Sequence, residues 1–111
     1  MRKNRVSECL VKTFDYGLKE ILGETAASIV YEYLETNLSI KKEEIPEKIE
    51  DFRRGLKNFL NTGAFVVEKM VLEKLYGSYG LKFEEKEQYD FEDYLNELRR
   101  KIATNKIQRK K

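Results

Sequence analysis

Residues 55–76 read GLKNFLNTGAFVVEKMVLEKLY, and the fold turns on what happens at Asn61-Thr62-Gly63. Before that point Ile49, Phe52, Leu56, Phe59 and Leu60 recur at helical spacing. After it Ala64, Val67, Met70, Val71 and Leu75 do the same. An uninterrupted helix would carry three successive weak helix formers in its interior. Asn tolerates the left-handed conformation that ends a helix, and Thr can cap the next one through its hydroxyl. Gly63 allows close approach. The stretch therefore reads as two helices meeting at a tight corner.

Outward from the corner the rest of the chain follows the same period. Val6, Leu10, Val11, Phe14, Leu18, Ile21 and Leu22 form one face of a first helix, which Gly23 stops. Gly17, inside it, predicts a closely packed neighbour. Thr25 is the expected cap of a second helix carrying Ala26, Ala27, Ile29, Val30, Tyr33 and Leu34. Its run AASIVYEYL is apolar around much of its girth, so it is expected to be the most buried element. It fades at ETNLSIKK, where Asn37 and Ser39 favour turns.

Pro46 is expected at the first position of the third helix, with Glu47, Glu50 and Asp51 at the positive end of its dipole. The fourth helix, 63–79, ends at Gly77 and Gly80. LKFEEKEQY reads as a loop anchored by Leu81 and Phe83. Asp90 caps the fifth helix with Asp93 three residues on. Phe91, Tyr94, Leu95, Leu98 and Ile102 mark its inner face. The expectation is an all-α, five-helix bundle in a single domain: basic arm 1–5, helical domain 6–102, and a basic, frayed tail 103–111. In that bundle the C-terminal helix packs across the others.

Composition narrows the function classes. The chain has 111 residues, enough for one domain with its own core. There is no histidine, which removes the usual proton shuttle and the commonest metal ligand. Ser-His and Cys-His nucleophile pairs are thereby excluded. The lone Cys9 cannot form an internal disulfide and fits a reducing compartment, as a small filler beside the apolar face. Glu43, Glu44 and Glu47 suit a helix start as well as they suit a cation. GSYG at 77–80 lacks the lysine and hydroxyl ending of a phosphate loop. No catalytic residue, cofactor or metal is expected, and the chain reads as non-enzymatic. No apolar run approaches the roughly 20 residues that cross a bilayer. The N-terminus has no secretory pattern, so the cytoplasm is the expected compartment and no membrane partner is expected.

Charge is distributed unevenly. Arg2, Lys3 and Arg5 begin the chain, and Arg99, Arg100, Lys101, Lys106, Arg109, Lys110 and Lys111 end it. Between them, 6–98 holds 12 basic and all 20 acidic residues. The charged share, 38% with two Gln, leans towards a thermophile's Lys/Glu-rich surface. The basic C-terminal residues offer phosphate contacts, giving a nucleic-acid-associated regulator as the alternative function. An acidic body opposes that, and the tail lacks aromatic residues for stacking bases. Tyr16, Tyr31, Tyr76, Tyr79 and Tyr89 fall off or at the edge of the assigned apolar faces, and Tyr is favoured at interfaces. Tyr31, Tyr76 and Tyr79 are the candidate contacts for a protein partner or a second copy in a homodimer.

Three stretches together resemble a family of small archaeal helical output domains found alone or attached to sensory modules. ILGETAASIVYEYLE resembles its leucine-glycine step and Ala-rich helix, and EEIPEKIEDFRRGL its Ile-Pro-initiated acidic helix. FLNTGAFVVEKMVLEKLY resembles its Phe-Gly-x-Gly-Ala corner and the ridge beyond it. The likeness covers roughly residues 10–80. Where the family usually has glycine after the aromatic residue, this chain has Leu60 and Asn61. The resemblance implies a helical, non-enzymatic interaction domain with no catalytic set to carry over.

Overall fold

Apolar residues three and four apart give the first and third helices one buried face each. The computed structural model describes residues 5–109, with side chains from 6 to 104. They form α1 (Arg5–Leu22), α2 (Glu24–Leu38), α3 (Ile49–Leu60), α4 (Gly63–Ser78) and α5 (Phe91–Arg109), with a 3₁₀ turn at Lys42–Glu44. The class is all-α with five α-helices, and no strand occurs among the described residues. None of the described helices is long and apolar enough to cross a membrane. Contacts group the chain into two compact units, Met1–Val71 and Leu72–Lys111.

In the first unit Leu10, Phe14 and Leu18 of α1, Val30 of α2 and Phe52 and Leu56 of α3 are fully buried. The Phe14 and Phe52 rings meet edge to face, 4.7 Å between centroids. Thr13, also buried, returns its hydroxyl to the Cys9 carbonyl at 2.6 Å, which satisfies it within its own helix. Gly17 does meet a close neighbour, the Val71 side chain, whose Cγ2 would lie 3.3 Å from an added methyl. At Gly55 the approach is tighter. A methyl there would fall 2.6 Å from Leu38 Cδ1 and 2.8 Å from Leu34 Cδ2, so the ends of both leucine side chains occupy the space a β-carbon would need.

The reversal after α3 is the corner read from the sequence. Asn61 has φ 55 and ψ −125, and its N–H donates to the Lys57 carbonyl at 2.8 Å. The φ is positive as expected, but ψ is that of the first central residue of a type II′ turn rather than of a left-handed helix cap. That geometry turns the chain more sharply and lets the Ala64 N–H reach the Asn61 carbonyl at 3.1 Å. Thr62 meets α4 through its carbonyl, which accepts from Phe65 N–H at 3.2 Å.

Three helix starts or faces differ from the sequence reading. α2 begins at Glu24, not after Thr25, because Gly23 serves twice. Its N–H closes α1 onto Lys19, and its carbonyl accepts from Ala27; φ 89 and ψ 163 at that residue make both possible. α2 is not the most buried element. Only Ala27, Val30 and Leu34 are buried, and Ile29 is half exposed, since one side of an apolar helix still faces water. α3 begins at Ile49, three residues after Pro46, which lies instead in the turn following the 3₁₀ segment. Ile40 and Ile45, two isolated apolar residues in a charged stretch, pin that connection into the core.

In the second unit Leu72, Leu75 and Tyr76 of α4 share a core with Phe91, Tyr94, Leu95 and Leu98 of α5. α4 ends in a Schellman turn. Leu81 N–H bonds the Tyr76 carbonyl and Gly80 N–H the Gly77 carbonyl, each at 3.0 Å, with Gly80 at φ 72. α5 opens on a reciprocal box. Asp93 N–H donates to Asp90 Oδ1 at 2.9 Å, and Asp90 N–H to Asp93 Oδ2 at 3.0 Å. The helix continues past Ala103, where its apolar face ends, to Arg109. Ala103, Lys106, Gln108 and Arg109 are strong helix formers and carry it past the weaker Thr104 and Asn105.

Replacing Asn61 by glycine is expected to raise stability by about 1 kcal/mol, because a β-carbon is disfavoured at this φ and ψ. Thermal unfolding followed by circular dichroism checks this, and a lower midpoint for N61G would contradict the strained corner. Gly55→Ala gains roughly 1 kcal/mol of helix propensity but forces the buried Leu34 aside at about 1–3 kcal/mol. Urea titration should therefore show a net loss.

Candidate functional site

Two inward-facing polar clusters and an open groove stand out among the described residues. In the first cluster Asp15 of α1 takes Lys19 and Lys42, each at 3.0 Å, and the Tyr31 hydroxyl at 2.9 Å. Burial alone would push the Asp15 carboxyl up. The bonds from Lys42, Lys19 and Tyr31, with the charge of Lys42, outweigh it and hold the group below its usual value. Lys42 also lies 4.9 Å from the Tyr31 ring centroid. Burial, then Asp15, pushes the Tyr31 phenol well above its ordinary range.

The second cluster repeats the design. Glu97 of α5 is 5% exposed and pairs with Lys86 of the loop, while Lys101 stands 3.9 Å away. The single proton of the Tyr76 hydroxyl is shared between Glu97 Oε1 and the Tyr94 carbonyl, 2.7 Å from each. Tyr94 in turn accepts from the Lys86 N–H at 2.7 Å and donates to the Lys86 carbonyl at 3.1 Å. Phe83 seats the loop between Tyr76 and Tyr94, with centroids at 5.3 and 4.9 Å. Burial would raise the Glu97 carboxyl, but Lys86, Tyr76 and Lys101 keep it below the usual range. The bond to Glu97 raises Lys86. These groups are spent on one another and hold the loop down.

The groove, about 700 Å³ and open to solvent, runs along the corner of α3 and α4. Glu50, Arg54 and Lys57 recur at helical spacing on one ridge of α3, and Asn61 of the turn closes its end. Ala64, Phe65 and Glu68 line the α4 side. Arg53 crosses between the helices and forks onto Glu68, Nε to Oε2 at 3.1 Å and Nη2 to Oε1 at 3.4 Å. Arg54 pairs with Asp51 at 2.9 Å. Phe65 and Val66 stand 67% and 53% exposed at the first turn of α4.

Of the residues singled out from the sequence, Tyr76 is buried to 1% and bonded on both sides, so it cannot serve as an interface contact. The second half of α4 turns it into the core with Leu72 and Leu75. Tyr31 is half-buried against Asp15, and Tyr79, also half-buried, sits in the Schellman turn. Arg99 is half-buried, its Nε buried without a hydrogen-bond partner. Arg100 and Lys101 are exposed. Successive positions point about 100° apart, so these three do not share a face. Arg2, Lys3, Lys110 and Lys111, and the side chains of Arg5, Lys106 and Arg109, lie outside the described residues. Cys9 is half-buried, with Sγ 3.8 Å from the Thr13 hydroxyl. Glu44 is taken up by Lys41 N–H and Lys48. Among the described residues no group of three His, Cys, Asp or Glu could hold a metal ion.

The groove was the part missed. Its one signal is the run Phe65-Val66, which falls off the Ala64, Val67 and Val71 face. Comparison with family models, with curated proteins and with solved structures finds no match to this chain.

Glu97→Ala is expected to cost about 2 kcal/mol and to remove hydrogen-exchange protection at the Lys86 amide. Because the folded state lowers the Glu97 carboxyl, its contribution is complete above about pH 4.3 and drains as pH falls through the lowered value. Lys86 is raised, so its contribution is complete below about pH 10.4 and is lost above that. The difference in unfolding midpoint between wild type and E97A should therefore shrink at both ends. A constant difference from pH 3 to 7 would contradict the assignment.

Proposed function

We propose that this chain is a non-enzymatic association module of the signalling-output type its sequence resembles. In this reading it acts in the cytoplasm through helix-mediated protein contact, as a homodimer. The observation that carries the reading is the pair Phe65 and Val66. Two large apolar side chains stand adjacent and exposed on a helix start, beside a groove of mixed charge. Apolar area left in water is unfavourable, by roughly 25 cal/mol for each Å², so a partner that covers it is stabilised. The inward clusters support the same reading, since their carboxylates and tyrosines fasten loops rather than face a substrate.

Light scattering over a dilution series is expected to report a mass above the monomer that falls as the protein is diluted. A strict monomer at high concentration would overturn the homodimer. The reading that uses the basic ends predicts salt-dependent oligonucleotide binding. Fluorescence titration with duplex and single strands at low and high salt is expected to show none that deletion of 103–111 abolishes.

A further inference from the structure

The association proposed above has one surface on which a second copy of the chain fits by charge as well as by apolar contact. On the α3 ridge the acids come first, Glu50 with Asp51 beside it, and the bases follow, Arg54 and Lys57. Glu50 is 57% exposed and stands 4.0 Å from its nearest cation, Arg53. The Lys57 ammonium has no ion-pair partner among the described residues. Lys57 follows Glu50 by seven positions, about 10.5 Å at the helical rise and two turns along one face. A ridge negative at one end and positive at the other is complementary to itself when a copy is laid antiparallel.

We infer that the α3–α4 corner is a two-fold interface, with Glu50 of each copy facing Lys57 of the other and each Phe65 packing beside the partner's ridge. An isologous contact makes every such pair twice, which suits a surface carrying both signs in balance. Near the axis Arg54 is already neutralised by Asp51, so two copies approach without opposing bare cations. The fork between Arg53 and Glu68 holds the groove walls at a fixed spacing and keeps its own charges satisfied. An acidic peptide is the weaker occupant, because the groove's three cations are matched by Glu50, Glu68 and the neighbouring Asp51.

The inference rests on the association reading, and one set of variants separates the two. In sedimentation equilibrium of the full chain, Glu50→Lys and Lys57→Glu are each expected to raise the dimer dissociation constant by about tenfold or more. The double exchange, E50K with K57E, should return it to within about threefold of wild type, because both intermolecular pairs are restored in reverse. Phe65→Asp should weaken the dimer by about thirtyfold. These positions are exposed, and circular dichroism verifies that each variant is folded. Additive losses without rescue in the double variant would overturn the inference, as would a dimer indifferent to all three substitutions, which would leave association through another face standing. A monomeric wild type would overturn both.

Discussion

The reversal at Asn61 is the constraint on which the first unit depends. One residue held at positive φ, with its amide tied back to Lys57, turns the helical direction within two positions. Arg53 can then reach Glu68, and Val71 comes to lie over Gly17. The cost of placing a β-carbon in that conformation is of order 1–3 kcal/mol, and buried Phe52, Leu56, Ala64 and Val67 on either side outweigh it. An asparagine is the least penalised alternative to glycine there, because its short side chain tolerates φ values that branched residues do not.

Both units solve the same local problem in the same way. A connection between helices carries charge and would drift into solvent unless something draws it down. Asp15 with Tyr31 draws in Lys42, and Glu97 with Tyr76 draws in Lys86. In each the tyrosine supplies a hydroxyl at the end of an apolar ring, so the carboxylate gains a donor without extra water in the core. The second cluster is the more enclosed, and aromatic contacts from Phe83 and Tyr89 to Tyr94 shield it further.

Periodicity carried the helix count, the corner and the core of α1, because those depend on spacing alone. Capping chemistry carried the start of α5, where Asp90 and Asp93 bond each other as their separation predicts. What escaped were features set by partners distant in sequence. Tyr76 reads as an edge residue until Leu72 and Leu75 rotate the second half of α4 inward. Ile29 reads as core until its side of α2 is left uncovered. Gly55 gave no sign of its role, since a missing side chain states nothing about which leucines will occupy the space. The groove was hidden for the same reason: Arg53 and Glu68 are 15 residues apart and look like ordinary surface charges until the corner faces them.

Gly23 is the single residue between α1 and α2, at a φ and ψ that side-chain-bearing residues scarcely visit. The residues that follow the joint are free to be replaced, since Glu24 and Thr25 stand in solvent. The joint itself is not. Any side chain at Gly23 would carry a backbone strain of order 1–3 kcal/mol, so this unremarkable position constrains the chain more than its exposed neighbours do.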